Sequence, residues 1–162
     1  MKRMKHQSKP VISMLMLIAI AALLVSPQVA AVEALEEWNV ASRDVLATPV
    51  KVWLGLMMLT NISAIGFLKN HVAARWVFAG FVISHGLVIL MSAQGMSVLA
   101  GQVSLFHIIF WTPGMVMLLR CRNEIQYPKA YSIWATLSLI FYFGSMIFDV
   151  RDALIYIQHL MG

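Results

Sequence analysis

The chain is 162 residues long, 60 % apolar and 12 % charged, with a formal charge of +5. That composition excludes a pair of water-soluble domains and makes a bilayer the natural solvent. The surplus charge does not point to nucleic acid: Lys2, Arg3, Lys5 and Lys9 precede the first apolar run, and from residue 32 onward eight Lys and Arg stand against seven Asp and Glu.

Residues 1–31 read as a targeting segment. A basic start leads into the apolar run Val11 to Val25, then into Ser26-Pro27-Gln28-Val29-Ala30-Ala31, with small residues where a signal peptidase cuts. The run of 15 is short for a span and right for a signal peptide, and Pro27 stops its helix. Cleavage after Ala31 is the expectation; the alternative is an uncleaved signal anchor, a fifth helix.

Segment 32–49 is net acidic, with Glu33, Glu36, Glu37 and Asp44 against Arg43. Read as an amphipathic leader, it lays Leu35 and Trp38 on apolar headgroup-level surface and turns its acids to water; a short unstructured leader is the alternative. Thr48-Pro49 then offers a helix start.

Four apolar stretches follow, expected to span at about 50–68, 76–93, 104–119 and 131–148, the last with a helical extension to about 159. The fold class expected is therefore all-α, an integral membrane four-helix bundle in a bacterial inner membrane. Lys69 and Arg75 lie in the first connection, Arg120, Arg122 and Lys129 in the third, and the second, 94–103, carries no charge. Basic loops stay on the cytoplasmic side, which puts the mature N-terminus and the C-terminus in the periplasm. Cys121, the lone cysteine, falls between Arg120 and Arg122 and has no internal partner for a disulfide.

Polar groups at membrane depth are costly unless paired, so each is a candidate for function or for adhesion between helices. Asn61 and His85 both fall near the midplane of neighbouring spans, a candidate interhelical clasp or ligand pair. His107 opens the run Ser104 to Gly114; Pro113 withholds a donor from Ile109 and predicts a kink, Thr112 is placed to satisfy a freed carbonyl, and Gly114 admits a close neighbour. The last span carries Tyr131, Trp134, Ser138, Tyr142, Ser145, Asp149, Asp152, Tyr156 and His159 at steps of three or four, one polar and aromatic stripe. His107, Trp111, Asp149 and Asp152 thus form the candidate polar site, with a contact expected from His107 to one of the two aspartates.

No catalytic residue and no metal site emerges. The 12 methionines are scattered, and Cys-X-X-Cys-His, HExxH, a phosphate-cradling glycine loop and a nucleophile elbow are all missing from the sequence. A haem b between His85 and His107 is disfavoured by a depth difference of roughly 9 Å on the helical rise. The leading expectation is a non-enzymatic subunit, assembly or accessory factor of a membrane complex, partnered by another membrane protein or by its own copies. The alternatives are a haem- or other cofactor-binding redox protein and a proton or small-solute transporter or channel subunit.

Overall fold

The computed structural model describes residues 34–38, 48–125 and 129–162. The targeting segment and most of the acidic leader lie outside the described residues. Four helices account for nearly all the rest. Helix α1 runs over Thr48–Ser63 and continues as a 3-10 turn over Ala64–Phe67; α2 is Val72–Ala93; α3 is Ala100–Arg120, followed by a 3-10 turn at Arg122–Glu124; α4 is Ala130–Met161. No strand occurs among the described residues, and all four helices are long and apolar enough to cross a membrane.

At 1.5 Å per residue α3 is about 31 Å long, the thickness of a hydrocarbon core, whereas α4 reaches about 48 Å and overshoots it. The helices alternate in direction. One end of the bundle gathers the connection 68–71, residues 121–125 and residue 129, with Lys69, Arg120, Arg122 and Lys129, and is called here the basic end. The far end gathers the loop 94–99, residues 34–38 and the end of α4.

Each helix buries one face. On α2 it is small: Ala73, Ala74, Val77, Gly80 and Ser84. That allows backbone approach to α3, where a Cβ on Gly80 would overlap the Phe110 carbonyl oxygen and one on Gly114 would lie 3.1 Å from the Val77 Cα. On α4 the buried positions include Tyr131, Trp134, Ser138, Tyr142 and Asp149, while Ile133, Leu137, Phe143, Ile147, Val150 and Leu154 are exposed on other sides. Helix α3 packs along both α2 and α4; α1 joins mainly through α4, burying only Met57 and Asn61. Its hydroxyls fold back on its own carbonyls, Thr60 Oγ1 donating to Leu56 O and Ser63 Oγ to Thr60 O, both at 2.8 Å.

The turn between α2 and α3 has a local cause. Gly95 adopts φ +76°, its N–H donates to Ser92 O at 3.0 Å and the Met96 N–H to Met91 O at 3.1 Å. That pair of bonds is a glycine-terminated helix end. Helix α3 then starts at Ala100, four residues before the expected 104. Residues 36–38 support that start: the Ala100 N–H donates to Glu36 O at 2.9 Å, the Trp38 N–H to Val98 O at 2.6 Å, and Glu37 forms an antiparallel bridge with Leu99. The described part of the leader therefore makes backbone bonds with the far-end loop and supplies an orphan helix N–H with its acceptor.

At the basic end, Arg75 turns back on the chain. Its Nε donates to Leu68 O at 2.7 Å and its Nη2 to Lys69 O at 3.0 Å, so this cation closes carbonyls left open after the 3-10 turn. Cys121 follows α3. Partial burial first, and the Glu124 carboxylate second, push its thiol above the ordinary range. The thiolate is therefore scarcer at neutral pH than on a free cysteine, and Glu124→Gln is expected to accelerate maleimide labelling of Cys121 at fixed pH; an unchanged rate would remove Glu124 as a cause.

Candidate functional site

The stripe on α4 faces α1, α2 and α3, and it builds a ladder of polar and aromatic side chains inside the bundle. Its outermost rung is His107 with Asp149. The His107 Nδ1 lies 3.3 Å from Asp149 Oδ1, and the two side chains are only 14 % and 10 % exposed. The second oxygen, Asp149 Oδ2, is buried without a hydrogen-bond partner. Asp152 is engaged elsewhere, its Oδ1 accepting from Arg151 Nε at 2.9 Å and Nη2 at 2.7 Å. The geometry thus separates the two aspartates: Asp149 continues the buried face through Tyr142, while Asp152 lies a turn farther out, its backbone carbonyl against Gly101.

Below this pair the rings stack. His107 and Trp111, one turn apart on α3, have centroids 3.9 Å apart and planes 20° apart. His85 of α2 lies 5.7 Å from His107 and 6.1 Å from Trp111. The His85 Nδ1 is 3.0 Å from Phe81 O and 3.2 Å from Ser84 Oγ. Because a carbonyl only accepts, the first distance places a proton on that nitrogen. Trp111 Nε1 donates to Ser84 Oγ at 2.9 Å, and the serine hydroxyl is 3.1 Å from Phe81 O. Ser84 is thus a buried bridge between α2 and α3.

Trp111 also stacks on Tyr142, centroids 5.0 Å apart. The Tyr142 hydroxyl donates to Asn61 Oδ1 at 2.9 Å, and Asn61 Nδ2 donates to Met57 O at 2.9 Å. The interhelical partner of Asn61 is therefore Tyr142 and not His85; α1 packs chiefly on α4, which puts the asparagine before the tyrosine. Tyr142→Phe removes the donor and leaves a buried amide oxygen unpaired, an expected loss of about 1–2 kcal/mol of unfolding free energy, read by thermal melting in detergent.

Pro113 lies within α3, which continues unbroken through it. Thr112 Oγ1 donates to Ile108 O, not to the Ile109 carbonyl that the proline cannot serve. Gly114 meets Val77, as described above.

The earlier start of α3 corrects the depth estimate for the two histidines. His107 lies seven residues inside α3 and His85 eight residues before the end of α2, about 10 and 12 Å from the far-end turn. Their nearness does not make a haem site. The rings face each other with planes 29° apart instead of converging end-on, and α2 and α3 are in backbone contact at Gly80, which leaves no slot for a porphyrin between them. Among the described residues no group of three or more His, Cys, Asp and Glu is arranged to hold a metal ion.

A second cluster sits at the basic end. His71, at the start of α2, stacks on Tyr131 with centroids 3.5 Å apart and planes 5° apart, and its Nδ1 is 2.7 Å from Glu124 Oε2. Phe67 and Trp134 pack beside them, and Trp134 Nε1 donates to Thr60 O at 2.9 Å. Sequence reading missed His71 and Glu124, which belong to two separate connections and carry no shared period. It also missed Ser84, whose only mark is its place among the small residues of α2. Comparison with protein-family models, with curated proteins and with solved structures finds no match to this chain.

Proposed function

We propose that the chain is a non-enzymatic subunit or assembly factor of a membrane complex in a bacterial inner membrane, with its basic end in the cytoplasm and both termini in the periplasm. The observation that carries this reading is the pairing of the buried polar groups with one another: Asn61 with Tyr142, Ser84 with Trp111, His107 with Asp149. Such a ladder gives four thin apolar helices one register, and the chain presents a rigid membrane-embedded body to a partner. In-membrane crosslinking followed by mild-detergent purification tests it. A reproducible membrane-protein partner is expected; a chain recovered only as an uncrosslinked monomer from its native membrane would overturn it.

The orientation has its own test in Cys121. A membrane-impermeant maleimide should label it in inside-out vesicles and not in intact spheroplasts; the reverse pattern inverts the topology.

A second reading is favoured by one atom. Asp149 Oδ2 has no hydrogen-bond partner, His107 Nδ1 lies 3.3 Å from the other oxygen, and the His85 ring lies 5.7 Å from that of His107. A carboxyl group with a bare oxygen at membrane depth, in contact with one imidazole that leads to a second, is the arrangement a subunit of a proton pathway would use. Proton flux in proteoliposomes that collapses in both His107→Ala and Asp149→Asn supports this reading, and the absence of flux in the intact chain removes it.

A further inference from the structure

We propose that residues 34–38 are a strap that closes the far-end approach to the His107–Asp149 pair, and that its release admits water to that pair. The strap is held by its backbone: the Trp38 N–H donates to Val98 O at 2.6 Å, the Ala100 N–H to Glu36 O at 2.9 Å, and Glu37 bridges Leu99. Ala34, fully buried, puts its carbonyl oxygen 3.0 Å from where a Cβ on Gly101 would lie, and the Asp152 carbonyl oxygen and the Tyr156 Cβ lie 2.6 and 2.7 Å from the same point. The strap, α3 and α4 therefore converge at Gly101, the far-end mouth of the seam between the two helices.

The pair lies down that seam. His107 is six residues farther along α3, about 9 Å, and Asp149 three residues back along α4 from Asp152, about 4.5 Å. One turn above them stand Ser104 and Ala153, both buried and small, and beside the mouth Arg151 and Asp152 form a half-buried ion pair. The strap covers this polar run, and it is lightly fastened. Ala34 is buried and Trp38 half-buried, but Leu35, Glu36 and Glu37 are exposed. Exposed backbone bonds with few buried apolar contacts mark a segment that opens locally at low free energy. Opening also leaves the Ala100 N–H without its acceptor, so the start of α3 loosens with the strap. The strap rests on the proton-pathway reading for its purpose, as the gate on the far side, but not for its existence.

A disulfide can lock the strap. Glu37 and Leu99 face each other as a non-hydrogen-bonded antiparallel pair, in which Cα atoms lie about 4.5 Å apart, within disulfide reach. In the full chain carrying Glu37→Cys, Leu99→Cys and Cys121→Ser, deuterium exchange at the imidazole C2 position is followed by peptide mass spectrometry in the oxidised and reduced forms, with His71 and His159 as internal references. Oxidation is expected to slow exchange at His107 by about three-fold or more, because the open fraction is removed, and to leave the references alone. Trp38→Pro in the otherwise unchanged chain deletes the donor to Val98 O and is expected to speed it, and the melting temperature of that variant separates release of the strap from unfolding. Unchanged exchange at His107 on locking, or equal slowing at all three histidines, would overturn the strap, as would two thiols that do not join under oxidant. Proteoliposome flux on the same samples keeps the two readings apart: slowed His107 exchange in a chain that carries no flux upholds the strap and removes the proton pathway.

Discussion

Gly80→Ala is expected to unfold the bundle more readily by on the order of 3 kcal/mol, a large effect for one methyl group. A Cβ at that position overlaps the backbone carbonyl oxygen of Phe110, with the carbonyl carbon 3.0 Å away and the Trp111 Cα at 3.6 Å. No side-chain rotation relieves a clash with backbone, so α2 and α3 must separate. Separation would also stretch the Trp111 to Ser84 bond, now 2.9 Å, and the His85 to His107 stack. Gly86→Ala, six residues farther along the same helix, is the matched control. Nothing lies within 4 Å of its Cβ, and replacing a helical glycine by alanine there should leave stability unchanged or raise it by about 0.5–1 kcal/mol. Thermal unfolding of both variants in one detergent reads the difference; equal behaviour would mean that the close approach of α2 and α3 does not limit stability.

The contrast between those glycines also shows where sequence reading reaches its limit. Composition and run length located four helices, because a bilayer leaves few other ways to satisfy backbone groups. Gly80 faces the backbone of α3 and Gly86 faces no helix, and hydropathy along one helix does not report its neighbour. The α4 stripe was legible because polar residues at steps of three or four in an apolar helix share one face: Tyr131, Trp134, Ser138, Tyr142 and Asp149 are buried, Ser145, Asp152 and Tyr156 are half-buried, and His159 is exposed. Its partners were less legible. Asn61 pairs with Tyr142 because α1 folds against α4, a topological fact with no local sign. The depth of His107 depended on the start of α3, and a shift of four residues moves a side chain by about 6 Å. His71 and Glu124 are 53 residues apart in two connections, beyond the reach of any periodic argument.

His107 and Asp149 give the second large effect, and its shape matters more than its size. His107→Leu leaves a carboxylate only 10 % exposed with neither oxygen paired, and the expected cost is about 3–5 kcal/mol. Asp149→Leu leaves a neutral imidazole still stacked on Trp111 at 3.9 Å, a smaller loss of about 1–2 kcal/mol. Both replacements together remove the carboxyl group and its partner, and most of the stability returns, because two leucines suit this environment better than one polar group left without the other. The cycle therefore predicts strong non-additivity, with the double variant more stable than His107→Leu alone. Additive and equal losses would show that the 3.3 Å contact contributes no coupling. The same variants divide the two functional readings: a double leucine chain that folds and still captures its membrane partner assigns the pair to holding the bundle together, whereas one that folds, captures the partner and has lost proton flux assigns it to carrying protons.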